Sequence, residues 1–319
     1  MTNDYEIDRE TWIQVMRDDY LDGYIPDGGA SVKVAVAPSG DLPKIRKALE
    51  TFAHGHGYAF AQADSATCRL HAMHDLYHEL ARQIRWEDVA ARFMTRQLRR
   101  GSLKPASDGR LTVDALADAN DEAKQAIRER LDAIVANTVA KDYTLGREFR
   151  AAAVALCRGL YDFANDAQLQ RSAAVDWLRG DGTPRLPVLR KIGIVKGIAS
   201  GNARQILHST TSWLHQAGFS GLVLALDASR YWLGKDAPGR GHQYSKATAL
   251  DMNEVVRQFI DSVDDLTATF VVFLANERFL DSKDRGLRSY EALRLRLTDE
   301  VRDRHHASPF APMVRLRFA

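Results

Sequence analysis

Five short apolar segments, each of strand length and set in otherwise helical sequence, constrain this chain more than any other feature. They are 31–37 (SVKVAVA), 58–64 (YAFAQAD), 221–227 (GLVLALD), 269–276 (TFVVFLAN) and 313–318 (MVRLRF). Runs this short, rich in Val, Leu, Ala and Phe, read as buried strands. Helical patterning fills 41–53, 69–100, 112–178, 200–217, 245–264 and 288–305. Strands separated by helices need crossover connections, which predicts a mainly parallel sheet covered on both faces. The expected fold class is therefore α/β. It has a five-stranded core from 31–64 and 221–319, a helical insertion subdomain over 65–220, and an acidic segment over 1–30 with eight acids against Arg9 and Arg17.

An open parallel sheet binds ligands at the carboxyl ends of its strands. Two strands end in residues a nucleotide site would use. Asp227 closes GLVLALD, where P-loop NTPases place the aspartate that holds Mg²⁺. Asn276 closes TFVVFLAN, where a polar side chain would sense a γ-phosphate or orient water. Apolar strands often end in Asp, so a capping or loop aspartate is the plain alternative.

The turn after the first strand is the sharper test. A P-loop reads G-x-x-x-x-G-K-[ST], because glycines admit backbone N–H groups to the phosphates and the lysine neutralises them. Here the turn reads Pro38-Ser39-Gly40-Asp41-Leu42-Pro43-Lys44-Ile45, with only Gly40 and a displaced Lys44 remaining. Asp41 puts negative charge where phosphate would lie, and Pro43 removes a donor. Ala228 follows Asp227, so the acid that would polarise water is missing as well.

Charge elsewhere is uneven. Lys and Arg exceed Asp and Glu by only two over the whole chain (44 against 42), which excludes a polycation built to coat nucleic acid. Residues 92–104 nevertheless carry five bases and no acid, and 179–196 carry five bases against Asp181. These are solvated surfaces or phosphate-facing patches, with Arg96, Arg99, Arg100, Arg190 and Lys191 as the candidate DNA contacts. The basic, glycine-rich loop 234–246 reads as a flexible insertion against DNA or a partner. Cys68, His71, His74 and His78 suggest zinc chemistry, with the three histidines on one helix face. Ligands stacked on one helix close a tetrahedron poorly, so a polar face is the preferred reading and no metal is expected. His54-Gly55-His56 reads as a helix terminus and His305-His306 as a surface pair. No G-x-S-x-G elbow supports a hydrolase. Two distant cysteines fit a reducing cytoplasm, the N-terminus lacks a signal-peptide core, and no apolar run is long enough for a membrane span.

Ordered blocks along residues 30–318 resemble a known family. They are Arg69-Leu70-His71 through Leu76-Tyr77, Trp177-Leu178-Arg179-Gly180, Ala217-Gly218-Phe219 leading into GLVLALD, VVFLANERFL followed by RGLRSYEALRLRL (285–297), and Pro309 to Phe318. With these blocks the chain resembles the P-loop ATP-binding proteins of BREX and related phage-defence systems, which look like origin-recognition-type AAA+ proteins. The resemblance implies a P-loop NTPase sheet, ATP with Mg²⁺ at the strand ends, and partners among the subunits of a defence complex. It also implies an arginine finger, with Arg285, Arg288 and Arg296 as candidates; salt bridging along a helix is the alternative. The family continues into a helical lid and a winged-helix segment, whereas this sequence stops at Ala319, so no C-terminal lid is expected.

Together these features predict a degenerate, pseudo-ATPase subunit acting as scaffold or recognition component of an anti-phage complex. Gly40, Lys44, Asp227 and Asn276 would be its nucleotide-site remnant, with no confident catalytic residue and no nucleotide cofactor. One alternative keeps ATP and completes the site in trans through an arginine finger. Another is a DNA-binding module.

Overall fold

Apolar runs of six or seven residues cannot bury a helix's worth of surface, but they fill the middle of a sheet covered on both sides. The computed structural model describes residues 6–101, 103–182, 185–298 and 308–317. In chain order it has β1 (Ile7–Asp8), α1 (Arg9–Val15), a π-helical stretch over Met16–Tyr24, β2 (Ala30–Val36), α2 (Leu42–Gly55), β3 (Ala59–Asp64) and α3 (Met73–Ala81). Next come α4 (Trp86–Arg100), α5 (Val113–Asn120), α6 (Lys124–Val135), α7 (Arg147–Arg158), α8 (Asn165–Arg179), α9 (Leu186–Lys191) and α10 (Ala203–Gln216). The chain then forms β4 (Leu222–Asp227), α11 (Ser229–Leu233), α12 (Lys246–Asp261), β5 (Thr269–Ala275), α13 (Arg278–Asp281), α14 (Glu291–Leu297) and β6 (Met313–Arg317). It divides into two compact units, residues 1–80 with 220–319, and residues 81–219.

The first unit holds one all-parallel sheet of order β1-β6-β2-β5-β4-β3. The sheet therefore has six strands rather than the five expected. The extra one, β1, pairs only Ile7 and Asp8 with β6, too little to leave an apolar run in sequence. Residues 9–25, where the acids hide the pattern, pack Trp12, Met16, Leu21 and Ile25 on one sheet face beside Leu42, Ile45 and Leu49 of α2. That face presents Ala35, Val223, Ala225, Phe270 and Val272. Side chains alternate along a strand, so Phe273 lies on the other face, where it meets Phe259 of α12 edge to face at 5.5 Å.

The second unit is helical. Region 69–100 breaks into α3 and α4, and His71 precedes α3, so the three histidines do not share a helix. In α4, Trp86, Val89, Ala90, Phe93, Met94, Gln97 and Leu98 are buried, an i, i+3, i+4 stripe. Glu87 and Asp88 in its first turn and Arg99 and Arg100 in its last complement the helix dipole. Trp213 of α10 sits at the centre, with ring centroids 6.3 Å from Trp86, 6.0 Å from Phe93 and 5.7 Å from Phe149 of α7. Gly180, in the left-handed region at φ 67°, ends α8. His305-His306, Phe318 and residues 299–305 of the expected last helix lie outside the described residues. Among the described residues no helix is long and apolar enough to cross a membrane.

Candidate functional site

Strand order places the ligand crevice. The chain leaves β2 for the far edge at β3, returns through β4 and β5, and then crosses to β6 on the other flank of β2. The reversal of direction lies around the carboxyl end of β2, where open α/β sheets bind ligands. A cavity of about 350 Å³ lies there. It is lined by Ala37, Pro38 and Asp41 after β2, Glu277 and Asp281 after β5, Glu6 before β1, and Arg315 and Arg317 of β6. Four carboxyl groups thus face two guanidinium groups, a charge balance that repels a triphosphate.

The turn between β2 and α2 spends part of its donor set on itself. Lys44 Nζ lies 2.6 Å from Asp41 Oδ1, an ion pair one helical turn long. The Asp41 N–H donates to the Pro38 carbonyl at 2.9 Å, and the Lys44 N–H donates to the Asp41 carbonyl at 3.0 Å. Pro43 has no N–H to offer. Gly40 lies outside the left-handed region, and a Cβ added to it would meet nothing within 4 Å. Neither the fold of the turn nor a close neighbour requires glycine at this position. The residues after β2 therefore do not fit a Mg²⁺-bound triphosphate held in P-loop fashion.

Asp227 ends β4 in register with Asp64 at the end of β3. Adjacent strands run about 4.8 Å apart, so the two carboxylates are close neighbours. Burial pushes the Asp227 carboxyl above its ordinary value; hydrogen bonds from Ser229, one from its N–H at 3.0 Å, oppose this, and the Asp64 charge reinforces it. Arg46 of α2, 3.7 Å from Asp64 Oδ2, offsets part of the repulsion. A raised carboxyl pKa favours folding in the protonated form. The stability it supplies is complete below the ordinary value of 3.8 and is lost as pH rises through the higher folded value. Asp227→Asn is accordingly expected to melt above wild type at pH 8 and to lose that advantage near pH 4, as followed by circular dichroism. Asn276 is buried, and its Nδ2 donates to the Ser229 carbonyl at 3.2 Å while Oδ1 finds no partner among the described residues. The side chain ties the end of β5 to the turn after β4.

The other sequence candidates are scattered. The Arg285 guanidinium donates to the Tyr244 carbonyl at 2.9 Å. Arg296 pairs with Asp261 and donates to the Ala292 carbonyl at 2.7 Å. Arg288 is exposed. Loop 234–246 is pinned rather than free: Arg230 donates to the carbonyls of His242 (3.0 Å) and Pro238 (2.8 Å), and Tyr244 Oη donates to Ser65 O (2.7 Å). Tyr244 also stacks on Tyr231 at 3.8 Å, and Tyr231 Oη lies 2.8 Å from His71 Nδ1. His71 is thus engaged with a tyrosine, and burial pushes its pKa down. Among the described residues no three His, Cys, Asp or Glu side chains converge as metal ligands. Sequence reasoning overlooked Asp64, although YAFAQAD ends in Asp just as GLVLALD does; it also overlooked Arg46, Glu277, Asp281, Arg315 and Arg317, whose approach depends on strand order.

No curated protein and no solved structure matches the chain. One family model does, over residues 44–318, described as the BREX system ATP-binding protein BrxC/D. Its match begins at Lys44, just beyond the turn where the phosphate cradle would lie, and takes in Asp64, Asp227 and Asn276. On that near-complete coverage the chain belongs to the BrxC/D family of BREX system ATP-binding proteins, components of a phage-defence system.

Proposed function

We propose that this chain is a non-hydrolysing member of its family, in which a nucleotide-type sheet serves as scaffold or recognition component for the other subunits of a multi-subunit defence complex. The observation that carries the reading is the Lys44–Asp41 ion pair at 2.6 Å. The cation that would neutralise phosphate is neutralised from within the same turn. The acidic crevice, the Asp41 and Lys44 N–H groups spent inside the turn and the raised pKa of Asp227 point the same way.

The test is Mg²⁺-ATP binding and turnover by the purified chain. A ligand at a hundred times its Kd stabilises a protein by about 2.7 kcal/mol, so ATP binding would raise the melting temperature by several degrees. No shift in millimolar Mg²⁺-ATP and no phosphate release are expected. Gly40→Ala is expected to be harmless, stabilising by about 0.4–1 kcal/mol because it narrows the unfolded chain without native strain. Micromolar ATP binding that disappears in Asp227→Ala, or in Gly40→Ala, would overturn the reading.

A further inference from the structure

We infer that the outer face of α4 is a seat for the sugar–phosphate backbone of double-stranded DNA, bound without regard to sequence. Arg92, Arg96, Arg99 and Arg100 lie along the flank of α4 beside its buried stripe and are all exposed. With Thr95, Ala217 and Gly218 they line a groove of about 650 Å³ within the helical unit, and none of its lining residues is acidic. Arg92, Arg96 and the adjacent pair Arg99 and Arg100 follow one another at about one turn, about 5.4 Å along the helix, so they form a continuous row of charge.

What distinguishes this face is that its charge is uncommitted. None of the four arginines has a carboxylate within ion-pair distance among the described residues, whereas Arg85 pairs with Asp88 at 2.8 Å just before them. The other basic segment is partly neutralised: Arg185 lies 2.9 Å from Asp176, and Lys191 lies 3.7 Å from Asp166. Arg92 is held in place by the Phe219 ring, 4.0 Å from its guanidinium carbon, and Arg96 closes over Gly218, where a Cβ would come 3.1 Å from Nη1.

The chemistry of the groove favours duplex over single strand. No aromatic ring is among the residues that line the groove, and the nearby Phe219 ring is covered by Arg92, so unstacked bases would have no platform. Thr95 Oγ1 donates to the Ala91 carbonyl at 2.8 Å, so the one side-chain hydroxyl among the lining residues has spent its donor. Arginine contacts to phosphates position the backbone and carry no sequence information.

The experiment is fluorescence anisotropy of the full chain with two labelled 30-base-pair DNA duplexes of unrelated sequence, from 50 to 200 mM KCl. Four phosphate contacts predict a slope of log K against log salt of about −3.6, or roughly a hundredfold loss over that range. The triple variant R96Q/R99Q/R100Q is expected to bind at least tenfold more weakly at 50 mM KCl, with a slope shallower by about 2.7. R96K/R99K/R100K should stay within a few-fold of wild type, because phosphate attraction needs charge more than shape. R190Q/K191Q on α9 should change neither quantity beyond twofold. The inference fails if the glutamine variant, melting like wild type, keeps the original affinity and slope. It fails equally if neither duplex binds, if single-stranded DNA or duplex RNA binds more tightly than duplex DNA, or if polyglutamate competes as well as DNA, which would assign the groove to an acidic protein surface.

Discussion

Trp213→Ala is expected to destabilise the helical unit by about 3–5 kcal/mol, the range for emptying a buried large aromatic site. Trp213 is fully buried, and three rings from two other helices surround it: Trp86 and Phe93 from α4 and Phe149 from α7. Removing the indole leaves a void against all three, and close-packed interiors relax only partly into such voids. A loss of this size lowers a melting temperature by about 10 °C. Trp213→Phe is the informative companion. It keeps an aromatic ring in the cluster and removes a buried indole N–H that has no hydrogen-bond partner among the described residues. An unsatisfied buried donor costs about 1–3 kcal/mol, so part of the lost packing is offset and the phenylalanine variant should melt well above the alanine one. Equal melting of the two would show that a phenyl ring recovers none of the lost packing and that removing the buried N–H brings no gain. Because α4 lies against Trp213, the alanine variant should also weaken DNA binding through loss of helix order, whereas the arginine variants weaken it with melting unchanged.

Strands were legible wherever burial on both faces wrote a continuous apolar run. Segments 221–227 and 269–276 coincide with β4 and β5 to within a residue at each end. The N-terminal elements were not legible for two physical reasons. Ile7 is the only apolar residue of β1, and the buried series Trp12, Met16, Leu21, Ile25 is spaced four, five and four residues apart. The wider step falls in the π-helical stretch over Met16–Tyr24, where hydrogen bonds reach one residue further along the chain. A search for a 3.6-residue period passes over such a pattern, particularly when acids fill the gaps.

The site was legible in part for a related reason. Asp227 and Asn276 announce themselves by ending apolar strands, and the Asp41–Lys44 pair follows from i, i+3 spacing at a helix start. The approach of Asp64 to Asp227 depends on β3 lying beside β4 in register, which no local pattern encodes. The two basic segments look alike in sequence. They separate in the structure because Asp166 and Asp176, on α8, reach Lys191 and Arg185, while among the described residues no carboxylate lies within ion-pair distance of Arg92, Arg96, Arg99 or Arg100, and Asp88 of α4 pairs with Arg85 instead.

Gly221→Ala is expected to cost about 3 kcal/mol or more, beyond the usual range for an added methyl because the obstacle is backbone. A Cβ on Gly221 would sit 2.2 Å from the Ala268 carbonyl oxygen and 3.0 Å from Cε1 of Tyr58. Neither neighbour can step aside. The Ala268 carbonyl accepts the Leu222 N–H at 2.8 Å, its own N–H donates to the Gly28 carbonyl at 3.1 Å, and the Gly221 carbonyl accepts the Ala59 N–H at 2.9 Å. The methyl would therefore have to part β4 from the segment entering β5 at the amino end of the sheet, in the layer where β2, β3, β4 and β5 all begin. The same substitution at Gly40 adds its methyl to open space and should stabilise. Measured side by side by chemical denaturation, the two alanine variants should move the midpoint in opposite directions. That contrast would place the essential glycine at the amino end of the sheet, remote from the turn after β2, where a triphosphate cradle would have demanded one. Equal losses at both positions would mean that the β2–α2 turn is as tightly constrained as the sheet entrance.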